Sequence, residues 1–157
     1  MTDVTIRPAL RSDLPALGRL GASLMRLHHG FDADRFMAPP ADVEAGYAWF
    51  LGTQLAAEDA VVLVAARGEA VVGYVYAGLE PMSWKELREA AGFVHDVVVD
   101  EAARGGGVGE ALLTAAAAWL AERGAPRLWV GDKDRPRGGA AKKRFAEGSQ
   151  AHEIGPP

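Results

Sequence analysis

The feature that most constrains the fold is an apolar strand-like run that leads through a short loop into a glycine-rich helix start. Residues 93–99 read Phe-Val-His-Asp-Val-Val-Val, and residues 104–109 read Arg-Gly-Gly-Gly-Val-Gly. Over residues 107–123 apolar side chains then recur at three- and four-residue steps, which predicts a helix with one buried face. Such a strand–loop–helix unit favours an α/β plan, and a glycine-rich helix start is typical of an anion-binding site.

The N-terminal part of the chain predicts one strand and two helices. Residues 4–8 alternate in polarity and predict a short strand, after which Ser12 occupies the place of a helix N-cap. Leucines at three- and four-residue spacing then predict a first helix. A polar loop is expected over residues 28–40, and the prolines at 39 and 40 mark the start of a second helix.

The middle of the chain changes to a β pattern. Residues 61–65 and 71–76 are rich in β-branched and aromatic side chains and predict a hairpin. Ser83 and Glu86 have the spacing of a capping box, so a short helix is expected over residues 84–90.

The predicted order is β-α-α-β-β-α-β-α-β, an α/β fold with a mixed sheet whose last strand covers residues 127–130. We expect this domain to span residues 1–130. Residues 131–157 form a basic, Gly-rich and atypical C-terminal segment, which is explained either by a change of reading frame near Trp129 or by a divergent helix at residues 140–147. After Asp132 we expect at most one short helix, no sixth or seventh strand, and a sheet edge open to a partner chain.

Composition narrows the classes of function. A chain of 157 residues suits one domain, and the absence of cysteine excludes disulfides, thiolate metal sites and a cysteine nucleophile. The net charge of -4 argues against a nucleic-acid partner. No apolar run approaches the roughly 18 to 20 residues that span a bilayer, so we expect a cytoplasmic protein without membrane contact.

The glycine-rich loop differs from two common phosphate-binding loops. A P-loop requires a Lys that does not follow Gly109, and the dinucleotide fingerprint G-x-G-x-x-G is absent near the first βα turn. The pattern that is present is Arg-x-x-Gly-x-Gly at Arg104, Gly107 and Gly109. It resembles the acetyl-CoA motif of the GNAT superfamily of N-acetyltransferases, [Q/R]-x-x-G-x-[G/A], which follows the fourth strand of that fold. The resemblance extends in element order over roughly residues 4–130.

The resemblance implies acetyl-CoA as co-substrate and direct transfer of its acetyl group, in a ternary complex, to a primary amine of a small molecule or peptide. The implied cofactor-binding residues are Val97, Val98, Val99, Arg104, Gly105, Gly106, Gly107, Val108, Gly109 and Glu110. Two alternatives stay open: a non-catalytic or impaired CoA-binding module of this family, and a small nucleotide-binding α/β protein. The plain structural interpretation is a glycine turn that serves only tight strand–helix packing.

His95 and Asp96 are the candidate catalytic residues, expected on opposite faces of one strand, since an acidic pair occupies these positions in polyamine-type members of the family. A histidine titrates near 6.5 and is able to accept the proton of the amine directly or through water. An equally weighted interpretation makes His95 a hydrogen-bonded sheet histidine. Asp96 is interpreted as a structural residue or a water anchor.

The remaining candidate residues concern the proton for the departing thiolate and the binding of the amine acceptor. Many members of the family carry a Tyr in a helix after the fifth strand to protonate the thiolate, but the nearest fit in this chain is Phe145, which has no proton to donate.

The resemblance places the acceptor between the first two helices and the hairpin. Dimers are common among proteins that resemble this one, so a homodimer is a candidate assembly. The polar candidates there are His28, His29, Tyr74, Tyr76 and Glu80, together with Asp32 and Asp34. Their spacing lacks a metal-ligand pattern, so no metal is expected.

Overall fold

The computed structural model describes residues 3–34, 38–130, 145–147 and 150–152. Three α-helices and seven strands occupy these ranges, with short 3-10 turns at Arg11–Asp13 and Glu101–Ala103. In chain order they are β1 (Thr5–Pro8), α1 (Leu14–Phe31), α2 (Val43–Gln54), β2 (Ala60–Arg67), β3 (Ala70–Glu80), β4 (Ala91–Val99), α3 (Val108–Glu122), β5 (Leu128–Val130), β6 (Phe145–Glu147) and β7 (Gln150–His152).

The first five strands form one mixed sheet in the order β1-β2-β3-β4-β5. Neighbouring strands are antiparallel from β1 to β4, whereas β4 and β5 run parallel. A parallel pair needs a crossover, and α3 supplies it. The predicted α/β mixed sheet is therefore confirmed.

Helices cover both faces of this sheet. On one face α3 buries Leu112 and Leu120 against Val75 of β3 and Val94 of β4. On the other face Leu17 of α1 and Leu51 of α2 pack with Tyr74 and Val98. Together the two clusters bury both sides of the central strands β3 and β4, which explains why these strands are rich in apolar residues on both faces.

A close contact between the first two helices positions one tyrosine. Gly21 of α1 lies directly against the ring of Tyr47 of α2, and a methyl group at residue 21 would overlap that ring. The missing side chain of Gly21 therefore allows Tyr47 to lie deep between α1 and α2 and reach the sheet.

The predicted N-cap of the first helix is wrong, since Ser12 lies in the 3-10 turn that precedes α1 and Asp13 is the N-cap residue.

Two further local predictions are wrong. The segment over residues 84–90 turns back on itself instead of forming a helix: Ser83 Oγ accepts the N–H of Glu86 at 3.2 Å, as in a capping box, but Leu87 adopts a positive φ of 52° and Ser83 then pairs with Arg88. A residue in the left-handed region ends helical propagation. The polar loop predicted from residue 28 begins later, because α1 continues to Phe31.

The prediction that no sixth or seventh strand follows Asp132 is also wrong. Strands β6 and β7 pair with each other antiparallel, from Phe145↔His152 to Glu147↔Gln150, as a separate two-stranded sheet. The alternative of a helix extending to Glu147 fails for Phe145–Glu147, which form β6. The rest of that proposed helix lies outside the described residues. No helix in the described ranges combines the length and apolar character that a membrane span requires.

Candidate active site

Among the described residues, no strand pairs with the β5-facing edge of β4 where β4 approaches α3. Described pairing with β5 covers only Gly92 to Val94. The N–H of Asp100 donates to the carbonyl of Val72 at 2.8 Å, so Asp100 directs its N–H toward β3. Because the backbone groups of a strand alternate in direction, those of Val97 and Val99 point to the opposite, open edge.

The loop between β4 and α3 depends on glycine backbone conformations. Gly105 and Gly107 have φ values of 84° and 82°, in the left-handed region, and Gly107 is the N-cap residue of α3. Val108 then buries its side chain in the core, which fixes the first turn of the helix. The leading N–H groups of a helix lack intrahelical partners and favour a negatively charged ligand.

Among the described residues, nothing crowds the backbone of Gly106 and Gly109 at this helix start. A Cβ built on Gly109 would meet only Val99 Cγ2, at an ordinary contact distance of 3.6 Å. A Cβ on Gly106 would lie 4.0 Å from the carbonyl oxygen of Ala103. A ligand is therefore able to approach the backbone closely at both glycines.

The predicted cofactor-binding residues lie together along this strand, loop and helix start. Arg104 donates from Nε to the carbonyl oxygen of Val99 at 3.1 Å, which ties the loop to the end of β4 and places the guanidinium near the N-terminus of α3. Val98 differs from its neighbours because its side chain is buried beside Tyr74, whereas those of Val97 and Val99 are partly buried against the cluster on the α3 face. Glu110 lies in the first turn of α3 and brings a negative charge to an otherwise anion-favouring end.

A β-bulge brings the two candidate catalytic residues to one face of the sheet. Tyr76 pairs with Asp96 and Ala77 pairs with Val94, so His95 is the extra residue. The ring of His95 lies 4.8 Å from that of Tyr76, and Asp96 contacts Tyr74 on the same face. The expectation of opposite faces is therefore wrong, because a bulge interrupts strict strand alternation.

His95 and Asp96 have different hydrogen-bonding environments. His95 Nε2 lies 3.2 Å from Glu80 Oε1 on β3, and its side chain keeps 29% of its surface exposed. Asp96 is buried, and its Oδ2 accepts the hydroxyl of Tyr47 at 2.7 Å and that of Tyr74 at 3.2 Å. The two tyrosines fix the Asp96 carboxylate between α2 and β3, whereas His95 remains accessible to solvent.

Burial and negative charge keep these tyrosines protonated. Burial, followed by the charge of Asp96, raises the pKa of both Tyr47 and Tyr74 well above the ordinary value. The pKa of Tyr76 is raised by burial and by the charge of Glu80. All three hydroxyls therefore act as donors at neutral pH, and the Tyr76 hydroxyl donates to Gln54 Oε1 at 3.0 Å.

The acceptor-side predictions divide into two groups. Tyr76 and Glu80 come together with His95, but Tyr74 is completely buried and supports Asp96. His28 and His29 lie in the last turn of α1, whereas Tyr76, Glu80 and His95 lie on β3 and β4. The described ranges contain no group of three His, Asp or Glu side chains suited to a metal ion.

Sequence reasoning missed Tyr47 as a member of the site. Apolar residues at helical spacing around it predict only that Tyr47 lies on the inner face of α2, and they carry no information about its Asp96 partner, 49 residues away in the chain. The available signal was a tyrosine on an otherwise apolar face, since a buried hydroxyl normally requires an acceptor.

Sequence comparison identifies a family for most of this chain. Residues 23–142 match the acetyltransferase (GNAT) family, a range that includes α2, β2 to β5, α3 and the glycine-rich loop. No curated protein matches the sequence significantly.

Solved structures share the fold. A transcriptional regulator from Bacillus halodurans C-125 is 26% identical, with a TM-score of 0.62 and 85% of each chain covered. A GCN5-related N-acetyltransferase from Ralstonia eutropha JMP134 is 22% identical, with a TM-score of 0.64 over 83% of this chain and 84% of that one. An aminoglycoside antibiotic 6'-N-acetyltransferase from Acinetobacter haemolyticus is 19% identical, with a TM-score of 0.63 over 82% and 78% of the two chains.

Proposed function

This chain belongs to the GNAT family of acetyl-CoA-dependent N-acetyltransferases, and on that premise we propose that it moves the acetyl group directly to a primary amine of a small molecule or peptide within a ternary complex. The observation that carries the proposal is the open edge of β4 at Val97 and Val99, which leads into the glycine-rich start of α3. One continuous backbone surface thereby offers hydrogen bonds to an extended polar chain and then to an anion.

Each part of this surface suits one part of acetyl-CoA. The outward backbone groups of Val97 and the outward N–H of Val99 would pair with the amides of the pantetheine arm, while the Val99 carbonyl accepts Arg104 Nε. The N–H groups from Gly107 to Glu110 would hold the pyrophosphate, with the Arg104 guanidinium as a nearby cation. The fit is supported by the open surface at Gly106 and Gly109. When bound, acetyl-CoA supplies the thioester acetyl group.

His95 is the proposed proton acceptor for the amine. It is partly exposed on the sheet face that carries α1 and α2, which we call the acceptor face. Glu80 beside its Nε2 favours the imidazolium that forms when the proton is taken up. In the transfer the amine nitrogen bonds to the acetyl carbon as the carbon–sulfur bond breaks. His95 takes one ammonium proton, which gives the nucleophilic amine, and the second proton that the nitrogen loses on forming the amide passes through solvent to the departing thiolate.

Asp96 has a positioning role in this proposal. Its carboxylate is buried under two tyrosine hydroxyls and therefore anchors β4 to α2 next to the bulge. The bulge in turn directs His95 to the acceptor face. A base at residue 95 thus depends on the packing of Asp96 beneath it.

The test is release of the CoA thiol from acetyl-CoA over a panel of primary amines, combined with calorimetric measurement of CoA binding. We expect CoA to bind and the thiol to be released only when an amine is present. CoA binding without release on any amine would identify an impaired CoA-binding module, the alternative that Phe145 in place of the family tyrosine favours. A preference for nucleotides over CoA would instead identify a nucleotide-binding protein.

A further inference from the structure

Aromatic side chains form a continuous row across the acceptor face, and we call it the aromatic row. It consists of Phe50 of α2, Tyr76 of β3, His95 and Phe93 of β4, and Trp129 of β5. Successive ring centroids lie 5.6, 4.8, 6.0 and 6.0 Å apart, within the range of favourable aromatic contacts. The row therefore presents one connected aromatic surface beside the candidate base.

The row is accessible at one end and closed at the other. Phe50 keeps 38% of its surface exposed and meets Tyr76 edge-on. Trp129, at the far end, is buried. A ligand ring is consequently able to contact the row at Phe50, Tyr76 and His95, where the bulge also places the base.

Charged side chains of opposite sign lie at two points along the row. Glu80 lies beside His95, and its charge contributes to the raised pKa of Tyr76 after burial. At the Phe93 end the Arg88 guanidinium lies 4.6 Å from the ring centroid. The row thus has a carboxylate near its middle and a fixed cation toward its buried end. Arg88 also pairs with Glu86 Oε2 at 2.8 Å, so a second ammonium group at this end would compete with the guanidinium for that carboxylate.

We propose that the acceptor is a primary monoamine that carries an aromatic ring, an arylalkylamine, with its ring against Phe50 and Tyr76 and its amine between Glu80 and His95. This inference rests on the proposed function, because it names the amine that the transferase acetylates. The amine contacts one exposed carboxylate, while the ring buries apolar surface and adds an aromatic contact that an alkyl chain does not make. At the Phe93 end of the row, an additional ammonium group of a multiply charged amine would have to displace Arg88 from Glu86.

The test compares the binding of three amines to the full chain saturated with CoA, which holds no acetyl group and so excludes turnover. Calorimetry measures 2-phenylethylamine, hexylamine and spermidine at one pH and ionic strength. The first two each carry one ammonium, so they separate the contribution of the ring from that of charge. We expect 2-phenylethylamine to bind about 3- to 10-fold more tightly than hexylamine, and spermidine to bind more weakly than 2-phenylethylamine.

A matched pair of variants on α2 locates the preference. Phe50→Leu should reduce the preference for 2-phenylethylamine over hexylamine to less than about twofold, since Leu keeps an apolar contact and removes the ring. The neighbouring Trp49→Leu, at a residue that is 72% exposed and outside the aromatic row, should retain the wild-type preference. Thermal unfolding of both variants verifies that each one folds.

The outcomes separate this inference from the proposed function. Equal or tighter binding of hexylamine or spermidine, or no measurable binding of any of the three amines, would overturn the arylalkylamine assignment. Thiol release with spermidine but not with 2-phenylethylamine would also overturn it, while the transferase function would stand. The expected binding order without thiol release on any amine would instead support the acceptor class and reject the transferase function.

Discussion

The two sides of β4 are built in different ways. The proposed CoA side consists of backbone: the open edge at Val97 and Val99, and the left-handed glycines 105 and 107. The acceptor side consists of side chains from α2, β3, β4 and β5, which meet around His95. A backbone site is encoded within a short stretch of sequence, whereas a side-chain site depends on tertiary packing of distant segments. The two sides should therefore respond differently to substitution.

The largest expected effect lies on the backbone side, at Gly109. Gly109→Val should abolish measurable CoA binding and leave most of the fold, because the branched side chain fills the space where the pyrophosphate meets the helix start. Gly109→Ala is the matched control, since its Cβ makes only an ordinary contact with Val99. Gly107 is less suitable for this test because its φ of 82° strains any larger residue.

Calorimetry with CoA, paired with thermal unfolding, measures this effect. The alanine variant should retain CoA binding and the valine variant should not, at similar unfolding temperatures. Equal CoA affinity in wild type and Gly109→Val would remove the site from this helix start.

The next effect belongs to the side-chain side and concerns His95. With a general base at residue 95, kcat/KM should rise with pH between about 6 and 8, and His95→Ala should lower it about 100-fold or more and flatten that rise. Glu80→Gln should keep the base but shift the rising limb to lower pH, because a nearby negative charge favours the protonated imidazole.

Steady-state thiol release from pH 5.5 to 9 provides these profiles. A rising limb that persists in His95→Ala would assign the proton transfer to Asp96, to Glu80 or to prior ionisation of the amine. A limb that fails to move in Glu80→Gln would mean that the Glu80 carboxylate does not influence the base.

A smaller effect returns to the backbone side, at Arg104. Arg104→Ala should weaken CoA binding by about 1 to 3 kcal/mol, the usual range for a charge-assisted contact. Arg104→Lys keeps the charge but loses the Nε bond to the Val99 carbonyl, so it separates phosphate attraction from loop anchoring. Recovery of affinity in the lysine variant would indicate charge, and its absence would indicate anchoring. An unchanged dissociation constant for Arg104→Ala at low salt would show that this side chain does not contact the ligand.

The fold was predictable from sequence where local patterns determine it. Helical periodicity indicated α1 and α3, the prolines at 39 and 40 indicated α2, and alternating or β-rich runs indicated the five strands of the main sheet. Local patterns failed at residues 84–90, where a capping-box spacing is present but Leu87 takes a left-handed conformation. They also failed at β6 and β7, whose three-residue strands are too short to show a period.

The same distinction between local patterns and tertiary pairing applies to the candidate site. The residues from Val97 to Glu110 were identifiable because strand, loop and helix start are consecutive in the chain. The bulge at His95 was not, since it results from the register between β3 and β4. Alternation alone placed His95 and Asp96 on opposite faces, and tertiary pairing brought them to one.

The smallest expected effect concerns Tyr47 and Tyr74, the buried tyrosines on the acceptor side. It appears in the free energy of unfolding at alkaline pH. Burial raises the pKa of Tyr47 and of Tyr74 in the folded protein, whereas both ionise near 10 when unfolded. Above that pH the unfolded chain has lost these protons and the folded chain retains them. The free energy of unfolding should therefore be fully maintained below about pH 10 and decline above it, by up to about 1.4 kcal/mol per pH unit for each tyrosine.

Tyr47→Phe should make this decline shallower by the share of one tyrosine, although it lowers stability near pH 7 by about 1 kcal/mol through loss of the Asp96 hydrogen bond. Phe50→Leu serves as control, because the Phe50 ring centroid lies 6.4 Å from that of Tyr47 and Phe50 carries no ionisable group. The stability curve of this variant should therefore run parallel to that of the wild type. Urea unfolding at pH 7, 9, 10 and 10.5 gives the three curves. Parallel curves for Tyr47→Phe and wild type above pH 10 would mean that Tyr47 ionises as readily in the folded protein as in the unfolded chain. The buried carboxylate would then be held chiefly by Tyr74, and the link from α2 to the bulge that orients His95 would be weaker than the geometry indicates.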